Sequence, residues 1–436
     1  MARAGAADHT RRPGTAVFPV LLQVVVACCL VAVACFFILD VVIRTPWHHT
    51  FDLRVYRGAV QWWLDGRPLY AFIRPHTSLG FTYPPFALLC LLPLGLVSET
   101  AATVLITLAS SAAILVTTTW LLTPLARRQG WPVWFALAVA VPVAVTMDPV
   151  RETLGWGQVS LVLALLVMAD VRALERGRPW AGVGIGLASA IKLTPALFIV
   201  YLAVTRRPRA TAVAAGTAAA ATLLAFLIDP SASVTYWTRS LWQLGRIGDP
   251  ALTTNQSLLG LLARLAAPQP PVGAAWVVLV AVAVGVGLWR AAGAARDGDE
   301  LTGFTITGLT ACLVSPISWT HHIFWVLPAT VVLLDLATGT PPARRPGPCL
   351  RSHPRAGRRV AATAAVALGT AFALSMIWYF AGATESGRDG PVGVLGENAY
   401  TLIMVLLVIV LPARRPATPF AARSPAPPRP GKRSPR

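Results

Sequence analysis

The sequence predicts an all-α protein that crosses a membrane many times, and three observations carry that prediction. Of its 436 residues, 55% are hydrophobic and only 13% are charged, and the mean hydropathy is +0.62. Apolar runs of about 17–25 residues recur along the chain, each able to cross a hydrocarbon core about 30 Å thick. Arginines gather in the short stretches between those runs, the pattern of loops retained on the cytoplasmic side. The net charge of +19 therefore reads as membrane orientation, and no nucleic-acid partner is expected. Five of the six cysteines, Cys28, Cys29, Cys35, Cys90 and Cys312, lie within apolar segments, which argues against a disulfide framework.

Taken in order, residues 1–16 carry Arg3, Arg11 and Arg12 and read as a cytoplasmic tail. Residues 17–43 are a first transmembrane helix, too long for a signal-peptide core, and 44–99 then lie outside. Within that loop Phe51, Val55, Val60, Trp63 and Leu64 recur at helical spacing among Arg54, Arg57 and Asp65. This predicts an amphipathic interfacial helix over 51–64, ended by Gly66-Arg67-Pro68. Tyr83-Pro84-Pro85 leads into 86–97, an apolar run too short to cross and read as a re-entrant or interfacial helix.

Residues 101–125 cross inward to Arg127 and Arg128, and 132–147 return to a second external loop at 148–158. Residues 159–174 cross inward to Arg172, Arg176 and Arg178. The next apolar stretch, 180–204, ends before a second cluster of Arg206, Arg207 and Arg209, and Gly182, Gly184, Gly186 and Pro195 interrupt it. Two short helices that enter and leave on the cytoplasmic side fit this pattern; one straight span is the alternative. Residues 212–228 go outward to a third external region at 229–273, and 276–290 return. Residues 302–317 and 323–336 flank a short external turn. Arg344, Arg345, Arg351, Arg355, Arg358 and Arg359 mark a cytoplasmic loop, and 360–380 and 399–411 follow. The total is about twelve membrane segments with both ends inside. Residues 17–412 form one transmembrane domain, with 44–99 as the external loop expected to carry the chemistry. Residues 413–436 are a disordered basic cytoplasmic tail.

Few residues combine chemical competence with such a position. Asp52 stands beside a membrane segment among Trp and Tyr; it suits a general base for a sugar hydroxyl or an N-cap of the interfacial helix. Lys192 is one of two lysines in the chain and falls inside an apolar hairpin, where an ammonium either faces a polar partner such as a phosphate or snorkels to an interface. His321 and His322 begin an external helix. Adjacent residues do not share a helix face, so they are no metal pair, but one can donate to a phosphate or hydroxyl. Arg151, Glu152 and Gln158 share the second external loop and can position a substrate, with an Arg–Glu structural pair as the alternative. Asn255 and Gln256 add hydrogen-bonding groups on the same side. Trp62, Trp63, Trp237 and Trp242 fit either sugar stacking or an interfacial belt. The chain has no phosphate-cradling glycine loop of the GxxxxGK[ST] kind and no Cys/His metal spacing. A nucleotide-borne substrate is therefore less natural than a lipid-borne one. No internal repeat is evident, which weakens a transporter or flippase reading.

FDLRVYRGAVQWWLDGRPLY and FTYPPFALLCLLPL, followed by GWGQVSLVLALL, GIGLASAIKLTPALFIVYL, NQSLLGLLARL and SPISWTHHIFWVLP, resemble, in order, the polyprenol-phosphate-mannose-dependent α-mannosyltransferases of glycosyltransferase family 87. The resemblance covers residues 51–328. It implies the GT-C membrane fold and an inverting transfer of mannose from a polyprenyl phosphate donor to a mannoside or mannolipid acceptor, on the outer face of the cell membrane. The family's catalytic aspartate corresponds to Asp52. Lys192, His322, His321 and Arg151 become the groups expected around the donor phosphate, with Glu152, Gln158 and Tyr83 as further substrate-binding residues. No metal and no cofactor is expected. The same family includes arabinofuranosyltransferases that use a polyprenyl-phosphate arabinose, so the sugar is left open, as is the acceptor glycan.

Overall fold

A computed structural model describes residues 23–33, 35, 38, 50–339, 354–382 and 390–414. The tail expected at 1–16, residues 415–436 of the tail expected at 413–436, and most of the arginine-rich stretch at 343–359 lie outside the described residues; Arg414, expected in the disordered tail, is instead held by Asp299 and Asp335. Helices α1 (Gln23–Val33), α2 (Phe51–Leu64) and α3 (Pro85–Leu96) open the chain. They are followed by α4 (Glu99–Gln129), α5 (Val133–Thr146), α6 (Asp148–Trp156), α7 (Ser160–Glu175), α8 (Val183–Ile191), α9 (Leu197–Val204) and α10 (Pro208–Ile228). Then come α11 (Pro230–Thr238), α12 (Leu258–Ala266), α13 (Gly273–Arg296), α14 (Glu300–Val314), α15 (Val326–Ala337), α16 (Pro354–Ala373), α17 (Gly390–Glu397) and α18 (Ala399–Val410). Among the described residues no β-strand forms; two isolated bridges, Ile73 to Gly80 and Asn255 to Trp319, pin loops. The fold is all-helical and fits a membrane protein. By length and composition, three of the described helices can cross a bilayer alone: α4, α10 and α13. They become five spans if the bent pairs α5–α6 and α17–α18 each count as one. Several segments expected as full crossings, such as α14 and α15, are only 15 and 12 residues long.

Two helices set the polarity of the bundle. Helix α4 begins at Ser98, whose hydroxyl caps Ala101 N–H, and ends at Gly130 in the left-handed conformation. At its start Glu99 pairs with Arg54 of α2, and at its end Arg128 reaches Asp335 of α15. The two contacts are separated by about 45 Å of helix. Helix α10, 21 residues or about 32 Å long, joins the same two ends: Arg207, just before it, binds Glu300, while Asp229, just after it, accepts from Trp63 Nε1 at 2.8 Å. The α2 end and the Glu300–Asp335 end are thus opposite.

The broken stretch 180–204 resolves into α8 and α9. Gly182 lies against Ala210 and Ala214, and Gly186 against Ala214 and Thr217, so α8 and α10 run side by side in the same direction. Helix α9, which joins them, must reverse. The chain therefore turns back at Lys192-Leu193, where the backbone becomes extended (Lys192 φ −147°, ψ 132°). Each arm of nine or eight residues rises roughly 13 Å, about half the thickness of a bilayer core. Asp170 of α7 holds the base of the hairpin, accepting from Ile185 N–H at 2.7 Å.

Helix α2 occupies the interval predicted for it. Its inner face of Leu53, Val55, Tyr56, Ala59 and Val60 is buried and packs on α3, where Gly95 admits Val60. Arg57 donates to the carbonyls of Leu94 and Val97, satisfying the free end of α3. Thr50, in the left-handed conformation, occupies the N-cap position. Asp52 is therefore not the cap residue but stands in the first turn, where the partial positive charge of the helix end favours a carboxylate.

Candidate active site

A cavity of about 490 Å³ opens at the α2 end of the bundle, lined among others by Asp52, Tyr83, Gln158, Lys192 and His322. Five separate chain segments deliver these side chains. Asp52 comes from the first turn of α2. Tyr83 comes from the loop between α2 and α3, which folds back on itself through the Ile73–Gly80 bridge and the Tyr70 hydroxyl donating to Tyr83 O at 2.8 Å. Gln158 follows α6, whose end is closed by Gly157 at φ +67°. Gly157 N–H donates to Leu154 O and Gln158 N–H to Thr153 O, the pair of bonds that stops a helix and turns the chain aside. A Cβ at Gly157 would lie 2.8 Å from Leu53 Cβ, so the turn needs glycine both for its backbone and for its closeness to α2. Thr50 N–H donates to Gly155 O at 3.1 Å, tying the start of α2 to the end of α6.

Lys192 sits at the hairpin tip, and His322 on a short 3₁₀ turn at Thr320–His322. Asn255 builds that turn's foundation rather than facing substrate. Its side chain accepts from Ser318 N–H at 2.8 Å and donates to Pro250 O and Pro316 O. Gln256 is likewise spent on structure, bonding to Glu397 O and Thr401. Arg264, buried beneath, donates to Leu252 O, Asn255 O and Asn398.

The cavity's polar groups form one chain. The Gln158 amide Nε2 donates to Asp52 Oδ2. Its Oε1 accepts from the Tyr56 hydroxyl at 2.7 Å and the Tyr83 hydroxyl at 3.0 Å. Lys192 Nζ lies 3.4 Å from the Tyr83 hydroxyl and 2.6 Å from His322 Nε2. Burial above all, and then the proximity of Asp52, raises the Tyr83 phenol well above its ordinary pKa. Burial does the same for Tyr56, aided first by Tyr83 and then by Asp52. Both phenols are thus neutral donors at physiological pH. Burial, followed by the charges of Lys192 and His321, holds His322 well below its ordinary value. His322 is accordingly neutral, and its Nε2 accepts from the Lys192 ammonium.

The cavity does not gather every candidate. Arg151 donates to Asp148 at 2.6 Å and to Ser375. Glu152 is buried and accepts from Trp156 Nε1 at 2.8 Å. His321 is buried at ring contact with His322, with its backbone carbonyl facing Thr153. These three stand behind the cavity wall and are absent from its lining, among the described residues. Trp63 is committed to Asp229 and Trp62 to Pro68 O, while Trp237 and Trp242 face outward; the tryptophan in the lining is Trp319. Tyr56 and Arg246 are among the polar lining residues missed from the sequence. Tyr56 falls four residues after Asp52, on the same helix face, and that spacing was available to find it. Arg246 lies in an irregular stretch with no periodic signal. It donates to Tyr70 O at 2.6 Å, and its Nε is buried with no hydrogen-bond partner among the described residues.

A largely apolar cavity with a carboxylate, an ammonium and a guanidinium on its walls offers a general base and fixed positive charge to a ligand. Comparison with known proteins gives that chemistry a definite form. The description of glycosyltransferase family 87 matches residues 81–316, and the chain belongs to that family and is a glycosyltransferase. It is 35% identical over 320 residues, 67% of this chain and 71% of the relative, to a polyprenol-phosphate-mannose-dependent alpha-(1-2)-phosphatidylinositol mannoside mannosyltransferase of Mycolicibacterium smegmatis. The protein of the same description from Mycobacterium tuberculosis is 34% identical over 309 residues, 66% of this chain and 71% of the relative. A polyprenol-phosphate-mannose-dependent alpha-(1-2)-phosphatidylinositol pentamannoside mannosyltransferase of Mycobacterium tuberculosis is 32% identical over 286 residues, covering 64% of this chain and 63% of the relative. No solved structure matches the chain.

Proposed function

We propose that the protein transfers mannose from polyprenyl-phosphate-mannose to a mannoside or mannolipid acceptor, with inversion, at the outer face of the cell membrane. The observation that carries this reading is the placement of Asp52 and Lys192 on one cavity wall system, with an apolar remainder of Leu193, Leu197, Val200 and Leu244 suited to a lipid carrier. The activity named for the relatives supports mannose as the sugar and a phosphatidylinositol mannoside as the acceptor. The arginines of the Glu300–Asp335 end favour the cytoplasm there and so leave the cavity outside.

The chemistry follows from the charges. Asp52 takes the proton of the acceptor hydroxyl. The hydroxyl oxygen forms its bond to the anomeric carbon as the carbon–oxygen bond to phosphate breaks on the opposite side. Polyprenyl phosphate leaves with the electron pair as a stabilised anion, so it needs fixed positive charge more than a proton donor. Lys192 supplies that charge, and Arg246 is a second cation on the cavity wall. His322 accepts from Lys192 and so aims the ammonium, while Tyr83 borders both halves of the site. Arg151, Glu152 and His321 brace the wall behind it.

The test is transfer of label from polyprenyl-phosphate-[14C]mannose to a synthetic phosphatidylinositol mannoside, in membranes with and without the protein. Label in the acceptor only when the protein is present is the expected result. Label from a polyprenyl-phosphate arabinose instead would change the sugar and keep the mechanism, and transfer from neither donor would contradict the proposal.

A further inference from the structure

Resting on the base role of Asp52, we propose that Gln158 is the positioning residue of that base. Its amide sets the direction of the Asp52 carboxylate and takes its own direction from the hydroxyls of Tyr56 and Tyr83. The geometry allows one arrangement. An ionised carboxylate only accepts, so the amide nitrogen must face Asp52 and the amide oxygen must face away. On that far side Oε1 lies 2.7 Å from the Tyr56 hydroxyl and 3.0 Å from the Tyr83 hydroxyl, which are 2.9 Å from each other, so at least one phenol donates to the amide oxygen while the other donates to it or to its neighbour. Rotating the amide would set oxygen against carboxylate, so the side chain is held from both ends.

The surroundings make this a rigid device. Tyr56 is 1% and Gln158 4% exposed, and Tyr56 and Tyr83 pack edge to face with ring centroids 5.4 Å apart. Gln158 is fixed in the chain by the Gly157 turn, which is itself pressed against Leu53 of α2. The relay continues from Tyr83 to Lys192 at 3.4 Å. The base and the cation are thus connected by neutral groups, which spaces them across the cavity and keeps the carboxylate available to an incoming hydroxyl. Because Gln158 acts on Asp52 and not on the sugar, its loss is expected to appear in turnover and in the pH profile rather than in substrate affinity.

The experiment measures kcat, the KM of each substrate and the pH dependence of kcat/KM for mannose transfer by the full chain and its Gln158→Ala and Gln158→Glu variants. A misplaced base costs on the order of 10²-fold in kcat, and Gln158→Ala is expected to show such a loss with both KM values nearly unchanged. A hydrogen bond donated to a carboxylate favours its charged form, so removing it moves the acid limb of the profile to higher pH. Gln158→Glu adds a like charge and moves the limb further in the same direction. The double variant Tyr56→Phe/Tyr83→Phe leaves Gln158 in place but frees its oxygen. It is expected to shift the limb the same way by a smaller amount, and it decides the matter if Gln158→Ala does not fold. A rise in KM alone would make Gln158 a substrate ligand and overturn the proposal, as would a loss of kcat with an unmoved acid limb. An active wild type with unaffected Gln158 variants defeats this inference alone, whereas a wild type that transfers no mannose defeats the reading beneath it.

Discussion

The cavity and the Glu300–Asp335 end of the bundle bury polar groups in opposite ways. At the Glu300–Asp335 end, charges meet directly. Arg414 binds Asp299 through its backbone N–H, Nε and Nη2 at 2.7, 3.0 and 2.6 Å, and Asp335 through Nη1 at 3.1 Å. Arg128 also pairs with Asp335, and Arg207 grips Glu300 with both terminal nitrogens. Asp299 meanwhile caps α14 through Thr302. At the α2 end, Asp52 and Lys192 are linked through an amide and a phenol instead. Desolvated charges in direct contact neutralise one another, which holds helices together but leaves nothing for a ligand. Charges spaced by neutral donors retain their field in the cavity, where a reacting group can use it. The difference separates a clamp from the proposed reaction site within one chain.

Four substitutions sharpen or break that contrast, from the largest effect to the smallest. Arg414→Ala strands the buried Asp299 carboxylate and leaves Asp335 paired with Arg128, and breaking such a buried pair costs about 3–5 kcal/mol. A thermal or denaturant melt in detergent is expected to show that loss, with turnover per folded molecule unchanged; an intact melt would remove the clamp from the account. Lys192→Met takes away the cation facing the leaving phosphate, and a single such donor is worth about 10²–10³ in kcat. Here turnover falls while the melting temperature holds, and the reverse pattern would make Lys192 structural. Gly157→Ala forces a side chain into a left-handed turn beside Leu53, a strain of about 1–3 kcal/mol. It is expected to lower the melting temperature and turnover together, because the same turn delivers Gln158. Arg54→Gln removes an exposed pair with Glu99, with side chains 42% and 50% accessible. A change within about 1 kcal/mol is expected, measured by the same melt.

Local periodicity made part of this legible in the sequence. The spacing of Phe51, Val55, Val60 and Trp63 marked α2 over its full length, and the glycines and proline of 180–204 marked a broken segment with Lys192 inside it. Asp52, Tyr83, Gln158, Lys192 and His322 come from five segments and meet in one cavity. The rest depends on tertiary contacts that no spacing records. Arg151 and Glu152 differ from Gln158 by a few residues, but the Gly157 turn swings Gln158 into the cavity and leaves the other two behind α6. His321 differs from His322 only in the direction it leaves a 3₁₀ turn. Asn255 and Gln256 read as ligands because they are polar, yet their bonds hold the loop that carries His322. Counting apolar runs also hid how many membrane helices are short or bent.

The central claim, that Asp52 is the base of a sugar transfer, is tested most directly by one comparison. Label transfer from polyprenyl-phosphate-[14C]mannose is measured for wild type and Asp52→Asn at matched amounts of folded protein. General-base catalysis is worth about 10²–10⁴ in rate, and a loss of that size with an unchanged melting temperature is the predicted result. Full turnover by Asp52→Asn would contradict it.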